Sequence, residues 1–149
     1  MIVLQRYNSA HPHFIQLVRE LDAFLAELDG EEHQFYHQLN AITNLRHVLV
    51  GYEAGTPVCC GAFRPVDSHS VEIKRMYTIP GARGKNYASA LLKALEQWAS
   101  ELSYTTSVLE TGKRQPDAIA LYEKNGYRRI ANYGQYAGIE NSICFSKAL

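Results

Sequence analysis

The sequence predicts a mixed α/β fold on one central sheet, and three observations carry that expectation. Strand-like and helical segments follow one another in the order β-α-α-β-β-β-α-β-α-β-β, which is not a regular βαβ series. The run "HVLVGYEAGTPVCCGAFRPV" reads as strand, turn at Ala54-Gly55, strand, and so as a hairpin. One long amphipathic helix follows directly on a strand and a glycine-containing bend. At 149 residues the chain fits one domain, 1–149, long enough to bury most of its apolar surface.

"IVLQRY" reads as the first strand. From Pro12 to about Leu28, residues Phe14, Leu17, Val18, Leu21, Phe24, Leu25 and Leu28 recur at helical spacing, with Ser9 as a candidate cap and Gly30 as the stop. "EEHQFYHQLNAI" predicts a second helix, and "SVEIKRMYTIP" a strand closed by Pro80. The longest helix runs from about Gly84 to Leu102, burying Ala88, Leu91, Leu95, Trp98, Ala99 and Leu102 on one stripe. "TTSVLET" is a strand. "QPDAIALYEKNG" is a short helix with Pro116 at its first position and Gly126 past its end. "YRRIANYG" and "NSICFSKAL" complete the sheet, joined by a Tyr/Gly-rich connection.

Composition narrows the function. Hydrophobic residues make up 46% and charged residues 20%, near globular averages, which argues against a disordered or fibrous chain. Fifteen basic residues offset fifteen acidic ones. A net charge of zero predicts neither a nucleic-acid nor a membrane partner. No apolar run reaches membrane length, and the N-terminus lacks a basic start with a long greasy core. Adjacent Cys59 and Cys60 would point to opposite sheet faces, and with Cys144 the odd total leaves no disulfide framework, so a cytoplasmic location is expected.

The stretch "ARGKNYAS", residues 82–89, carries the chemistry. A strand that turns through glycine into a helix leaves backbone N–H groups unpaired at a positive dipole end, which suits a phosphate. Between Ile73 and Leu95 there is no acidic residue, whereas Lys74, Arg75, Arg83, Lys85 and Lys93 are present. The same lysines and arginines also suit an ordinary wet helix face. A Walker loop and a dinucleotide fingerprint are excluded, because "GARGK" is two residues short of the first and too glycine-poor for the second.

"EIKRMYTIPGARGKNYASALLKALEQWA", followed by "LETGKRQPDAIALYEKNGYRRI", resembles the acetyl-CoA-binding core of the GNAT superfamily of N-acetyltransferases. Arg83, Asn86 and Ala88 fall on the three defined positions of that family's Gln/Arg-x-x-Gly-x-Gly/Ala loop. Asn86 replaces a glycine there, and asparagine tolerates left-handed backbone better than most residues. The resemblance covers residues 71–130. It implies a mostly antiparallel mixed sheet of about six or seven strands, splayed between the fourth and fifth, with about four helices.

The resemblance also implies roles. The pantetheine arm of acetyl-CoA would lie along Met76, Tyr77 and Thr78, taking main-chain bonds from Met76 and Thr78. The Met76 amide would polarise the thioester carbonyl. The diphosphate would sit on the N–H groups of Gly84, Lys85, Asn86, Tyr87, Ala88 and Ser89. Tyr122 in "ALYEKNGY" matches the family's acid, which reprotonates the leaving thiolate. Glu72 matches a base used by some members. By strand alternation it would share a face with Lys74, a possible ion-pair partner, and with Met76. Glu110 and ordered water are its rivals, and Gln115 falls near the pantetheine.

The implied reaction is direct acetylation of a primary amine, on a small molecule, peptide or protein, in a ternary complex. Acetyl-CoA is the co-substrate, no metal is implied, and a homodimer is an assembly open to the chain. A non-catalytic acyl-CoA-binding or sensing protein is the rival reading, with a nucleotide-binding regulator third. An acidic run, Glu20, Asp22, Glu27, Asp29, Glu31 and Glu32, would attract a cationic amine or simply form a solvated face. Tyr133 and Tyr136 would line an acceptor pocket or close a hairpin. His33 and His37 have helical metal-ligand spacing but no third ligand. Cys144 reads as core.

Overall fold

The computed structural model describes residues 1–30 and 44–149. Seven strands form one sheet, β1 (Ile2–Tyr7), β2 (His47–Glu53), β3 (Thr56–Pro65), β4 (Ser70–Thr78), β5 (Thr106–Gly112), β6 (Arg128–Ile130) and β7 (Ser142–Ala148), in the order β1-β2-β3-β4-β5-β7-β6. Three α-helices are described, α1 (Pro12–Asp29), α2 (Tyr87–Glu101) and α3 (Pro116–Lys124). The second expected helix lies outside the described residues. Neighbouring strands are antiparallel except β4 and β5, which are parallel. No described helix is long and apolar enough to cross a membrane.

Each face of the sheet has its own core. Phe14, Leu17 and Leu21 of α1 pack with Val48, Val50, Cys60 and Ala62. Leu91, Leu92 and Leu95 of α2 and Tyr122 of α3 pack with Leu49, Cys59, Phe63, Ile73 and Phe145 on the other side. Cys59 and Cys60 therefore do point to opposite faces, and both are buried free thiols. Ala54 and Gly55, with φ of 50° and 83°, make the left-handed turn of the β2–β3 hairpin.

Three local readings change. Ser9 does not cap α1; the His11 ring accepts from His13 N–H at that position, while Ser9 ties to Leu45 through two hydrogen bonds. The long helix starts at Tyr87 rather than near Gly84, because Gly84 (φ 81°) and Asn86 (φ 63°) are left-handed. At its far end Leu102 leaves the buried stripe and is 45% exposed.

The third change positions the site. β4 carries a bulge: Cys60 pairs with Tyr77 but Ala62 pairs with Lys74, so Arg75 and Met76 together face Gly61. Arg75 takes φ 60° there. The extra residue reverses the alternation, so Met76 joins Ile73 over α2 instead of sharing a face with Glu72 and Lys74. A Cβ at Gly61, opposite the bulge, would lie 2.5 Å from the Met76 sulfur, so the Met76 side chain would have to shift to admit one.

Candidate active site

β4 and β5 pair only at Ser70–Thr106, Val71–Ser107 and Glu72–Val108. Beyond Glu72 they part, leaving the β5-facing edge of β4 unpaired from Ile73 to Thr78. A groove of about 560 Å³ opens along that edge, lined among others by Met76, Thr78, Asn86, Ser89, Gln115 and Tyr122.

The floor of the groove is the bend before α2. The first backbone donor of the helix is Ala90 N–H, bonded to Asn86 C=O at 3.2 Å. Among the described residues, no backbone N–H from Gly84 to Ser89 donates to a protein acceptor. Their alignment at a helix start gives that end a partial positive charge. Asn86 adopts the left-handed geometry (φ 63°, ψ 19°) that a glycine would otherwise supply. Its side chain is turned to Lys124, whose Nζ donates to Oδ1 at 3.1 Å.

The expected basic cluster is dispersed by the fold. Lys85 Nζ donates to Glu53 at 3.0 Å, and the Tyr87 hydroxyl bonds to the same carboxylate, so only the main chains of these two residues serve the groove. Arg75 pairs with Asp22 of α1 at 2.6 Å. Arg83 Nε donates to the Thr78 carbonyl at 3.0 Å, and its guanidinium lies over the Phe24 and Tyr77 rings. Among the groove residues to which the sequence reading gave no role are two cations, Arg114 and Lys124. Lys124 directly follows Tyr122-Glu123 in the quoted motif, but nothing local links it to Asn86.

Tyr122 and Gln115 line both this groove and a second, smaller cavity. Tyr122 is buried, with its ring against Tyr127 and Phe145 at centroid distances of 5.9 and 6.1 Å. Burial, and secondarily the charge of Glu110, push its pKa up, so the phenol keeps its proton at neutral pH.

The second cavity, of about 80 Å³, adjoins the groove at these shared residues. Its wall includes Glu72, Lys74, Glu110 and Tyr136. Glu72 is fully buried. Arg64, its cross-strand neighbour, holds Oε1 through Nε at 2.8 Å and Nη2 at 2.7 Å, and the Tyr133 hydroxyl donates to Oε2 at 2.6 Å. Arg64 is thus a partner of Glu72 that the sequence reading did not consider. Lys74 Nζ donates to the Tyr136 hydroxyl at 3.2 Å. Burial lowers the Lys74 pKa, and the charge of Glu72 opposes that shift. Burial and then Glu72 raise the pKa of both Tyr133 and Tyr136.

Tyr136 therefore lines the cavity, whereas Tyr133 is committed to Glu72. Glu31, Glu32, His33 and His37 lie outside the described residues. Among the described residues no three of His, Cys, Asp or Glu converge on a point. Cys144 is buried and its thiol pKa is raised by burial.

Residues 14–127 match the model of the acetyltransferase (GNAT) family. The chain is 33% identical to an IAA acetyltransferase of Azospirillum brasilense, over 99% of this chain and 98% of that protein. It superposes with a TM-score of 0.84 on a Klebsiella pneumoniae structure described as an acyl-CoA N-acyltransferase, at 31% identity, covering 100% of this chain and 98% of that one. At the level of fold alone it matches an N-acetyltransferase of Thermoplasma acidophilum in complex with coenzyme A, with 14% identity, a TM-score of 0.72 and coverage of 100% and 99%. A sheet split after β4, with a family match running from α1 to the end of α3, makes this chain an acyltransferase of the GNAT family.

Proposed function

We propose that the protein transfers the acetyl group of acetyl-CoA to a primary amine by direct attack in a ternary complex. The observation that carries this reading is the run of unengaged N–H donors from Gly84 to Ser89 beside an open strand edge. The residues present fit the coenzyme. The donors suit a diphosphate, the β4 edge suits the amide groups of a pantetheine arm, and the groove has room for an extended ligand.

When bound, acetyl-CoA supplies an activated acyl group as a thioester. The chain's own residues do the rest. The bend holds the diphosphate through main-chain N–H groups, with Ser89 steadied by Asn125, whose Nδ2 donates to Ser89 Oγ at 3.1 Å. Lys124 and Arg83 add positive charge at the rim. The Met76 main chain, re-aimed by the bulge, polarises the acyl carbonyl. Glu110 accepts the amine proton, directly or through water, because both Glu72 oxygens already serve Arg64 and Tyr133. As the new C–N bond forms and the C–S bond breaks, Tyr122 gives its proton to the leaving thiolate. Burial keeps the phenol protonated and so available as a donor, and it likewise makes a thiolate formed in the same site a stronger base than in water, which favours that transfer.

Calorimetry with coenzyme A and thiol release with a panel of small amines test this reading. Coenzyme binding with amine-dependent thiol release is expected. Tight binding with no release from any amine would favour the sensing reading, and absence of binding would end both.

A further inference from the structure

The β4 bulge decides where the Met76 main chain points, and its geometry needs a hold from outside the strand. Arg75, its extra residue, takes φ 60°, a left-handed conformation that costs an arginine steric energy. On the α2 face the bulge is held by packing, with the Met76 sulfur over Gly61 and its side chain against the core. On the α1 face it is held by charge. Arg75 Nη2 donates to Asp22 Oδ1 at 2.6 Å, between residues 53 positions apart. The Arg75 side chain is only 7% exposed, so its guanidinium depends on this carboxylate, whereas Asp22 keeps 32% exposure. A weak Cys60 Sγ donor to the Arg75 carbonyl, at 3.4 Å, adds little. Nor is the pair needed to dock α1, because Phe14, Leu17 and Leu21 already bury against β2 and β3.

We propose that Asp22 is a positioning residue for acetyl transfer: through Arg75 it keeps the bulge left-handed and the Met76 N–H aimed at the acyl carbonyl. The kinetic consequence rests on the acetyl-transfer reading; the dependence of the bulge on Asp22 does not. A buried guanidinium that loses its carboxylate turns toward water or another acceptor, and the backbone that carries it relaxes to the commoner extended conformation. Removing an oxyanion donor costs about 100- to 1,000-fold in kcat, so a donor present but misaimed should cost about 10-fold.

The test uses Asp22→Asn, Arg75→Gly, their double variant and Arg75→Ala. Asparagine keeps the size of Asp22 and removes its charge. Glycine takes φ 60° without a hold, and alanine does not. In coenzyme-free protein, Asp22→Asn should move the backbone resonances of residues 75 and 76, with the carbon shifts of residue 75 leaving left-handed values. In the Arg75→Gly background the same change should leave the residue 76 amide in place. Asp22→Asn should lower kcat about 10-fold, with amine KM and coenzyme affinity within about 2-fold. The carbonyl infrared band of bound acetyl-CoA should return toward its frequency in free coenzyme. On Arg75→Gly, Asp22→Asn should change kcat less than about 2-fold. Arg75→Ala, which strands no buried cation, should turn over about 10-fold more slowly than Arg75→Gly.

Lost stability with the 75–76 backbone and kcat unmoved would make the pair an anchor for α1 alone and overturn the proposal. Equal kcat losses from Asp22→Asn in both backgrounds, or equal kcat for the alanine and glycine variants, would do the same. A raised amine KM with kcat kept would make Arg75 a substrate contact and also overturn it. An Asp22-dependent bulge with no thiol release from any amine would uphold the hold on the bulge and remove the acetyl-transfer reading.

Discussion

The two cavities that share Tyr122 solve recognition in opposite ways. The groove over the start of α2 presents main-chain donors, with charged side chains turned outward or onto neighbouring residues. The smaller cavity presents buried side chains tied to others from the neighbouring strand and the β6–β7 connection. Backbone recognition tolerates changes in side-chain identity, provided the φ/ψ values survive. Side-chain recognition fails when one member of the network is lost, because its partners stay buried and uncompensated.

The largest expected effect breaks the side-chain region. Arg64→Met leaves the Glu72 carboxylate buried with Tyr133 alone and should cost about 3 kcal/mol of stability, the low end for a broken buried pair because Arg64 is itself 31% exposed. Urea denaturation reads this as a lowered midpoint at unchanged slope. A loss below about 1 kcal/mol would mean that Glu72 is not held as the geometry indicates. Glu72→Gln should also destabilise, whereas Glu110→Gln should lower kcat with folding retained. The reverse pattern would return the base role to Glu72.

Next comes a residue that both regions share. Tyr122→Phe keeps the ring packing against Tyr127 and Phe145 and should lower kcat about 100-fold, with coenzyme affinity within about 2-fold. An unchanged kcat would remove the phenol from proton transfer.

A smaller effect sharpens the backbone side. Asn86→Gly retains the left-handed residue and removes the Lys124 contact, so coenzyme affinity should hold or tighten by less than about 1 kcal/mol. Asn86→Val, which cannot adopt φ 63° without strain, should weaken binding clearly. Equal behaviour of the two variants would show that backbone conformation is not the determinant.

The smallest effect is a pH dependence at the groove's edge. Hydrogen bonds from Tyr87 and then Lys85 hold the Glu53 carboxyl below its usual range. A depressed folded-state pKa contributes stability that is present above the ordinary glutamate value, about 4.3, and is lost as pH falls through the folded value. Glu53→Gln should therefore flatten the acid limb of the stability profile by lowering the neutral plateau slightly, with stability at low pH little changed. An acid limb as steep as that of the unaltered protein would contradict the assignment.

The same contrast explains what could be read from the sequence. The backbone site was legible because local rules write it: a glycine and an asparagine before an amphipathic helix announce left-handed residues and open N–H groups. Element order, hairpin and splay followed from periodicity and from the resemblance. The side-chain cavity was not legible. Arg64 reaches Glu72 across a strand pair, and Lys74 meets Tyr136 62 positions away, contacts that no local pattern encodes. The β4 bulge also escaped, because alternation counts residues and Arg75 adds one that periodicity cannot see. Met76 changed faces for that reason alone. The basic cluster misled in the complementary sense. Lys85 and Arg75 lie close to the bend in sequence, but Glu53 and Asp22, distant in sequence, draw them away.

The central claim is that free main-chain donors, not cationic side chains, grip the coenzyme's diphosphate. The most direct measurement follows the backbone amide resonances of Gly84 to Ser89 during titration with coenzyme A and, separately, with pantetheine, which lacks the diphosphate. Large shifts and slowed hydrogen exchange at those amides are expected with coenzyme A only, while the β4 amides near Met76 respond to both ligands. Amides 84–89 that stay unmoved in coenzyme-saturated protein would contradict the account.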